Sequence, residues 1–435
     1  MIRLSGVILA LIVLAACQRA PRLMPTPALF ATGEHSPFAF NPHLETTNRV
    51  QVFYATNRSP LGPRDARVYT ILPSQTLYLG AAVVRIGPRE KTWESLYALS
   101  TTSSTASRPE LKLDSLDELA AIRSGEEADL ASPEARRFFD ALNAALARSL
   151  NKDLTIYVHG SNSNVNLAAA QAAQYRHFTG RKSVVLVFAW PSAGSGLRYF
   201  TDVQNARLSV PVFTRLIELL ARHTAAEHIN VLAYSAGAQI VSPGLASLRK
   251  QGQGGTDKSL RLGEVYLAAP DIAFRTFVVQ LPLYIDLTRR ITVSVNLNDA
   301  ALGLSKLVHG VSRLGRPDPS ELSEQDSRWL IDAAARLNFD VISVKPDVIP
   351  GLGSGSHSFW YNHAWVSSDV LIKLLYHIPP AARGLNRHWT EQRFPYWTFP
   401  SDYDRRVVEV MRQRHSARFG SAPGAAGGGR SLPRN

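Results

Sequence analysis

The chain has a single cysteine, Cys17, in 435 residues. Intrachain disulfides are therefore excluded, and so is a metal site built on several thiolates. It also lacks a long apolar run. The stretch from Val7 to Leu14 is well short of the roughly 20 residues a bilayer crossing needs, and no later segment supplies one. Acidic groups are in deficit, 35 against 48 Lys and Arg, for a net charge of +13. Ten Arg face only four acids from Ala381 onward. That basic end attracts anionic lipid or other polyanions non-specifically, or simply keeps the tail solvated. No nucleic-acid reader motif organises the charges, so nucleic acid is not an expected partner. There is no internal repeat. What remains is ample apolar material, 45% of residues, enough for one large domain with extensions.

The first residues read as a secretion signal: Arg3 near the start, a short apolar stretch, then small residues ahead of Cys17. Leu14-Ala15-Ala16-Cys17 resembles the lipobox of bacterial lipoproteins, which implies cleavage after Ala16 and a lipid on the Cys17 thiol. An ordinary signal peptide with an incidental cysteine, or an uncleaved anchor, are the alternatives. Gln18 stands where an Asp would imply inner-membrane retention. The resemblance thus implies a lipid-anchored envelope protein, at the outer membrane and facing the periplasm.

Composition shifts divide the chain into a signal peptide (1–16), a Pro-rich linker expected to be mobile (17–48), an N-terminal β extension with a polar segment (49–132), a core (133–378) and a basic, partly disordered tail (379–435). In the extension, Val50 to Ala55 and Leu77 to Ile86 have strand character. Pro133 opens an amphipathic helix with Phe138, Leu142 and Leu146 on one face. From Leu154 onward, short apolar runs alternate with helical stretches, the signature of βαβ units and a mostly parallel sheet flanked by helices. Strands are expected at 154–158, 184–189, 229–234, 264–268, 290–295 and 339–344. Helices are expected near 166–178, 199–223, 236–250, 274–281, 300–309 and 364–377.

The sharpest feature is Ala233-Tyr234-Ser235-Ala236-Gly237 at a strand-to-helix junction. Small residues two places on either side of the serine allow strand and helix to approach closely while the hydroxyl stands above the sheet, as in a nucleophile elbow. A serine that merely caps the following helix is the alternative. A serine nucleophile needs a base, and the base needs a group that orients it. Asp299, after the strand ending near Val295, is the preferred acid, with Asp271 one strand earlier as its rival. His357, in a Gly/Ser-rich loop after the last core strand, is the preferred base over His363 and His309. The amides of Ala236 and of Ser161, the latter after the strand ending in His159-Gly160, are the candidate oxyanion donors. Trp190, Tyr199, Phe200, Trp360 and Tyr361 are candidates to line a pocket, or else to fill the core.

Together with Val52-Phe53-Tyr54-Ala55-Thr56-Asn57-Arg58, Ala189-Trp190-Pro191-Ser192, Tyr199, Asp202, Ala269-Pro270-Asp271, Asn298-Asp299-Ala300-Ala301-Leu302 and His357-Ser358-Phe359, these motifs make residues 50–377 resemble the α/β-hydrolase superfamily, and more narrowly an uncharacterised bacterial esterase/lipase-like family. That family commonly has His before the nucleophile and Met after it, where this chain has Tyr234 and Ala236. The resemblance implies a serine hydrolase acting on a small-molecule ester or lipid-like substrate, with no metal and no organic cofactor. Two other readings remain open at this level. One is an amidase, peptidase or acyltransferase using the same residues; the other is a non-catalytic envelope lipoprotein with a hydrolase-like binding domain.

Overall fold

The computed structural model describes residues 20–64, 67–104, 106–123, 132–194, 198–251 and 258–419. The expected signal peptide, Cys17 and the Gly/Ala-rich end from residue 420 lie outside them. The strands are β1 (Arg49–Leu61), β2 (Val68–Ile86), β3 (Leu111–Ile122), β4 (Leu154–Val158), β5 (Val184–Phe188), β6 (Ile229–Tyr234), β7 (Leu262–Ala268), β8 (Arg290–Val295), β9 (Phe339–Ser343), β10 (Asn386–Trp389) and β11 (Pro395–Thr398). The helices are α1 (Trp93–Thr101), α2 (Pro133–Arg148), α3 (Val165–Phe178), α4 (Tyr199–His223), α5 (Ala238–Gln251), α6 (Phe274–Gln280), α7 (Ala300–His309), α8 (Glu324–Arg336), α9 (Phe359–Asn362), α10 (Ala364–Tyr376) and α11 (Tyr403–Phe419).

All these strands join one sheet, in the order β10-β11-β9-β8-β7-β6-β4-β5-β1-β2-β3. From β11 to β1 every neighbouring pair is parallel, while β1-β2, β2-β3 and β10-β11 are antiparallel. The expected architecture, a mostly parallel sheet between helices with antiparallel strands at the N-terminal side, is the one the chain adopts. The central strands are buried on both faces, which is why they read as continuous apolar runs. Successive residues still divide between the faces. Ile156 and Val231 pack with Phe138, Leu142 and Ile217, whereas Tyr157 and Leu232 pack with Ala168, Val370 and Leu371.

Helix starts follow local chemistry. Ser132, Asn164, Asp299 and Ser323 each accept a hydrogen bond from an orphan N–H of the first turn of α2, α3, α7 and α8. Several stretches differ from the sequence expectation, among them the helices α1 and α8, which it did not include. Residues 20–48 are not a free linker: Leu23, Met24, Leu29 and Phe30 are buried against α3 and α10 residues. Their few apolar residues are spaced without periodicity, and only the tertiary groove gives them a partner. The polar part of the 49–132 extension contains β3, whose charges lie on a partly exposed edge, where Glu118 pairs with Arg67. The basic tail is folded as far as Phe419, with β10, β11 and α11, and Tyr403, Val407 and Met411 are buried.

Candidate active site

Ser235 is the first residue after β6, at φ +51°. A non-glycine residue in the left-handed region is strained and persists only when its surroundings over-determine it. Here they do. A Cβ on Gly237 would meet the carbonyl oxygens of Val158 at 2.6 Å and His159 at 2.9 Å, and one on Gly160 would meet the Ser235 Cβ at 2.9 Å. The turn therefore sits directly against the end of β4. Asp271 closes it from the other side, donating its N–H to the Ser235 carbonyl at 2.9 Å.

The Ser235 hydroxyl lies 2.8 Å from His357 Nε2, and His357 Nδ1 lies 2.7 Å from Asp299 Oδ2. With Nδ1–H donating to the carboxylate, Nε2 is left to accept from the serine. Asp299 is fully buried, and its second oxygen accepts from the Leu302 N–H at 3.0 Å, so one carboxylate both orients the histidine and caps α7. His357 remains 18% exposed. Its loop is pinned by Asn296, whose side-chain amide donates to Ser356 O at 2.8 Å and Ser354 O at 3.3 Å. The Tyr234 ring packs 5.3 Å from the imidazole.

The rivals are engaged elsewhere. Asp271 accepts from Arg313 Nε at 2.5 Å, Tyr199 Oη at 2.6 Å and Ser305 Oγ at 2.8 Å. Burial alone would raise its pKa; the adjacent guanidinium and the hydroxyl donors hold it below the usual carboxylate value instead. His363 caps α10 and bonds Pro350 O, and His309 bonds Ser305 O and packs on Tyr199. Trp190 and Trp360 are interior, whereas Phe200 is exposed.

Around Ser161 the next two amides are occupied, Asn162 N–H by Asp202 Oδ2 at 3.0 Å and Ser163 N–H by Ser192 Oγ at 3.1 Å. The Ser161 N–H has no acceptor among the described residues. The loop is held by a buried polar scaffold whose residues stand out in the sequence only as parts of motifs. Asp202 also accepts from Ser192 Oγ and the Ala193 N–H, and Arg58 donates to Ala189 O and Ser163 O. Burial pushes Arg58 down to about 10 and raises Asp202 above its ordinary value. His159, stacked on Trp190, is pushed down to about 3 by burial and by Arg58, which keeps it neutral.

Among the described residues, one further group has metal-ligand chemistry, at the opposite end of the parallel strands from Ser235. Asp153, His228 and His377 bring one ligand atom each within 4.8 Å of one another. Both imidazoles already face the Asp153 carboxylate, at 3.0 and 2.7 Å. His377 also faces Glu264, which pairs with Lys373, so the buried charges balance among themselves.

No curated protein matches this chain. Among solved structures, it resembles a puromycin-hydrolyzing peptidase from Mycobacterium tuberculosis at 11% identity and a TM-score of 0.25. That likeness covers 83% of this chain and 50% of the other, so the chain spans about half the length of that structure. Residues 135–348, which include the elbow, Asp271 and Asp299, match the family described as alpha/beta hydrolase of unknown function, and this part of the protein has the α/β-hydrolase fold.

Proposed function

We propose that the protein is a serine hydrolase of the carboxylic-ester type. The observation that carries this reading is the unbroken hydrogen-bonded chain from Ser235 Oγ through His357 to Asp299, with the hydroxyl mounted on a strained turn. His357 Nε2 takes the Ser235 proton as Oγ attacks the ester carbonyl, and Asp299 stabilises the imidazolium that forms. The Ala236 and Ser161 N–H groups face the developing oxyanion. His357 then returns its proton to the leaving alkoxide as the C–O bond breaks, leaving an acyl group on Ser235. Water, deprotonated by the same histidine, attacks the acyl-enzyme. The carboxylic acid departs, and the proton returns to Ser235.

The test is turnover of activated short-chain esters together with labelling by a serine-directed phosphonate. Ser235→Ala abolishes both. Full activity in a folded Ser235→Ala protein refutes the assignment. In the same reading, Cys17 carries the lipid and Leu23 is already buried, so the body is held close to the bilayer.

A further inference from the structure

The N-terminal edge of the parallel sheet, away from Ser235, contains a cavity of about 380 Å³. This is within the range of roughly 300–1,000 Å³ typical of small-molecule sites. Phe53 of β1, Ala141 and Ala145 of α2, and Val184 of β5 form its apolar wall. Arg148, Arg176 and Arg181 give the lining its cationic part, and His43 and Glu45 of the folded N-terminal segment also line it.

The lining sets three arginines against one acid: Glu45 offsets part of the charge of Arg176 and Arg181, and the Arg181 guanidinium lies 5.1 Å over the Trp93 ring. Arg181 is 5% exposed and donates through both Nη atoms to the carbonyls of Glu45 and Thr47, but its Nε has no acceptor. Arg176 donates from Nε to Ser183 O at 3.2 Å, while its Nη1 is buried without a partner. Among the described residues, none of the three arginines forms an ion pair. Glu45, the one acid in the lining, is exposed. Burial and the charge of Arg176 push Arg181 down to about 9, and burial lowers Arg176. The C-termini of α2 and α3 end nearby, and their negative ends offset part of this charge. They do not supply the missing acceptors. Arg181 itself is locked in place at φ +58°, after a glycine whose Cβ would strike the Pro37 carbonyl oxygen.

We propose that this cavity binds a phosphate ester, with its phosphate on Arg148 and Arg176, Arg181 behind them, and its organic part on the apolar wall. Planar guanidinium donors match phosphate oxygens in geometry as well as charge. The site shares no residue with Ser235, His357 or Asp299, so it stands whether or not the esterase reading holds.

Two sources offer this chemistry. The Leu111 N–H bonds Pro21 O at 2.7 Å, which fixes the start of the described chain at this same edge. Cys17 is four residues earlier, a span of at most about 14 Å. A lipid there holds this end of the protein near phospholipid headgroups, whereas a soluble phosphate ester reaches the cavity from solution.

The intact protein in a nonionic detergent is titrated calorimetrically at constant ionic strength. One arm uses glycerol 3-phosphate, the other mixed micelles of phosphatidylglycerol in the same detergent. The variants are Arg148→Glu, at an exposed position, and Arg176→Gln, with near-UV circular dichroism as the check on folding. The expected result is saturable binding in at least one arm, weakened tenfold or more by each variant. Binding of glycerol 3-phosphate identifies a soluble ligand, and binding of the micelles alone identifies a headgroup. No saturable binding in either arm, or binding that either folded variant leaves unchanged, overturns the proposal.

Discussion

Asp299 and Asp271 are chemically alike and both buried, yet the structure gives them opposite tasks, and exchanging each for asparagine separates them. Asp299→Asn keeps a side-chain oxygen for the Leu302 N–H, because asparagine caps helices as well as aspartate does. What it loses is the carboxylate that holds His357 Nδ1–H and stabilises the imidazolium. By analogy with serine-protease triads, the loss in kcat is about 10⁴, or about 5.5 kcal/mol of transition-state stabilisation, with little loss of folding stability. Asp271→Asn removes the counter-charge of Arg313, whose side chain is 4% exposed. Stranding a buried charge costs about 3–5 kcal/mol. That is a large part of the roughly 5–15 kcal/mol that holds a domain together. The expected pattern is therefore crossed: Asp299→Asn is stable and nearly inactive, and Asp271→Asn is unstable but active per folded molecule. Ester turnover and urea unfolding on the same preparations measure both. If a folded Asp271→Asn protein is inactive while Asp299→Asn retains near-normal kcat, Asp271 is the acid and Asp299 is not.

Other expectations follow from single contacts. Gly160→Ala brings a methyl group within 2.9 Å of the Ser235 Cβ; displacing the nucleophile by a few tenths of an ångström to 1 Å lowers kcat by about 10- to 100-fold, whereas unchanged kcat shows that the loop yields freely. His377 is held above the ordinary histidine pKa: burial opposes this, but the carboxylates of Asp153 and Glu264 beside the ring favour its charged form. Its contribution to stability is complete below the unfolded value of about 6.5 and is lost as pH rises through the higher folded value. The stability difference between wild type and His377→Gln therefore narrows with rising pH in urea titrations, and a gap that widens contradicts the assignment. Cys17→Ser abolishes incorporation of labelled palmitate, and undiminished labelling in that variant rules out Cys17 as the lipid site.

The core strands were legible because burial on both faces forces continuous apolar runs, and Leu154–Val158, Ile229–Tyr234 and Arg290–Val295 have the bounds expected from sequence. β3 was not legible, because Lys112, Asp114, Asp117 and Glu118 on a partly exposed edge look like a polar loop. The 20–48 segment is illegible for a related reason: a run of turns around one short 3-10 helix, docked on the body, leaves no periodicity. In the candidate site, Ser235 could be read from small residues at fixed offsets, a local steric requirement. The roles of Arg58, Ser192 and Asp202 could not, since their bonds join β1, the loop after β4 and the loop after β5.

The sequence by itself determined the alternation of strand and helix and the serine at the turn, since both depend on neighbours a few residues away, and it offered acids and histidines in workable chain order. It left Asp299 and Asp271 as rivals and His357 beside His363. Only the tertiary structure decided which of them approach Ser235, because a hydrogen bond at 2.8 Å between residues 122 positions apart depends on where whole elements pack. The cationic cavity is the same kind of fact: Arg148, Arg176 and Arg181 end two different helices or the turn after one, and they become a site only when the sheet and the N-terminal segment bring them to one edge.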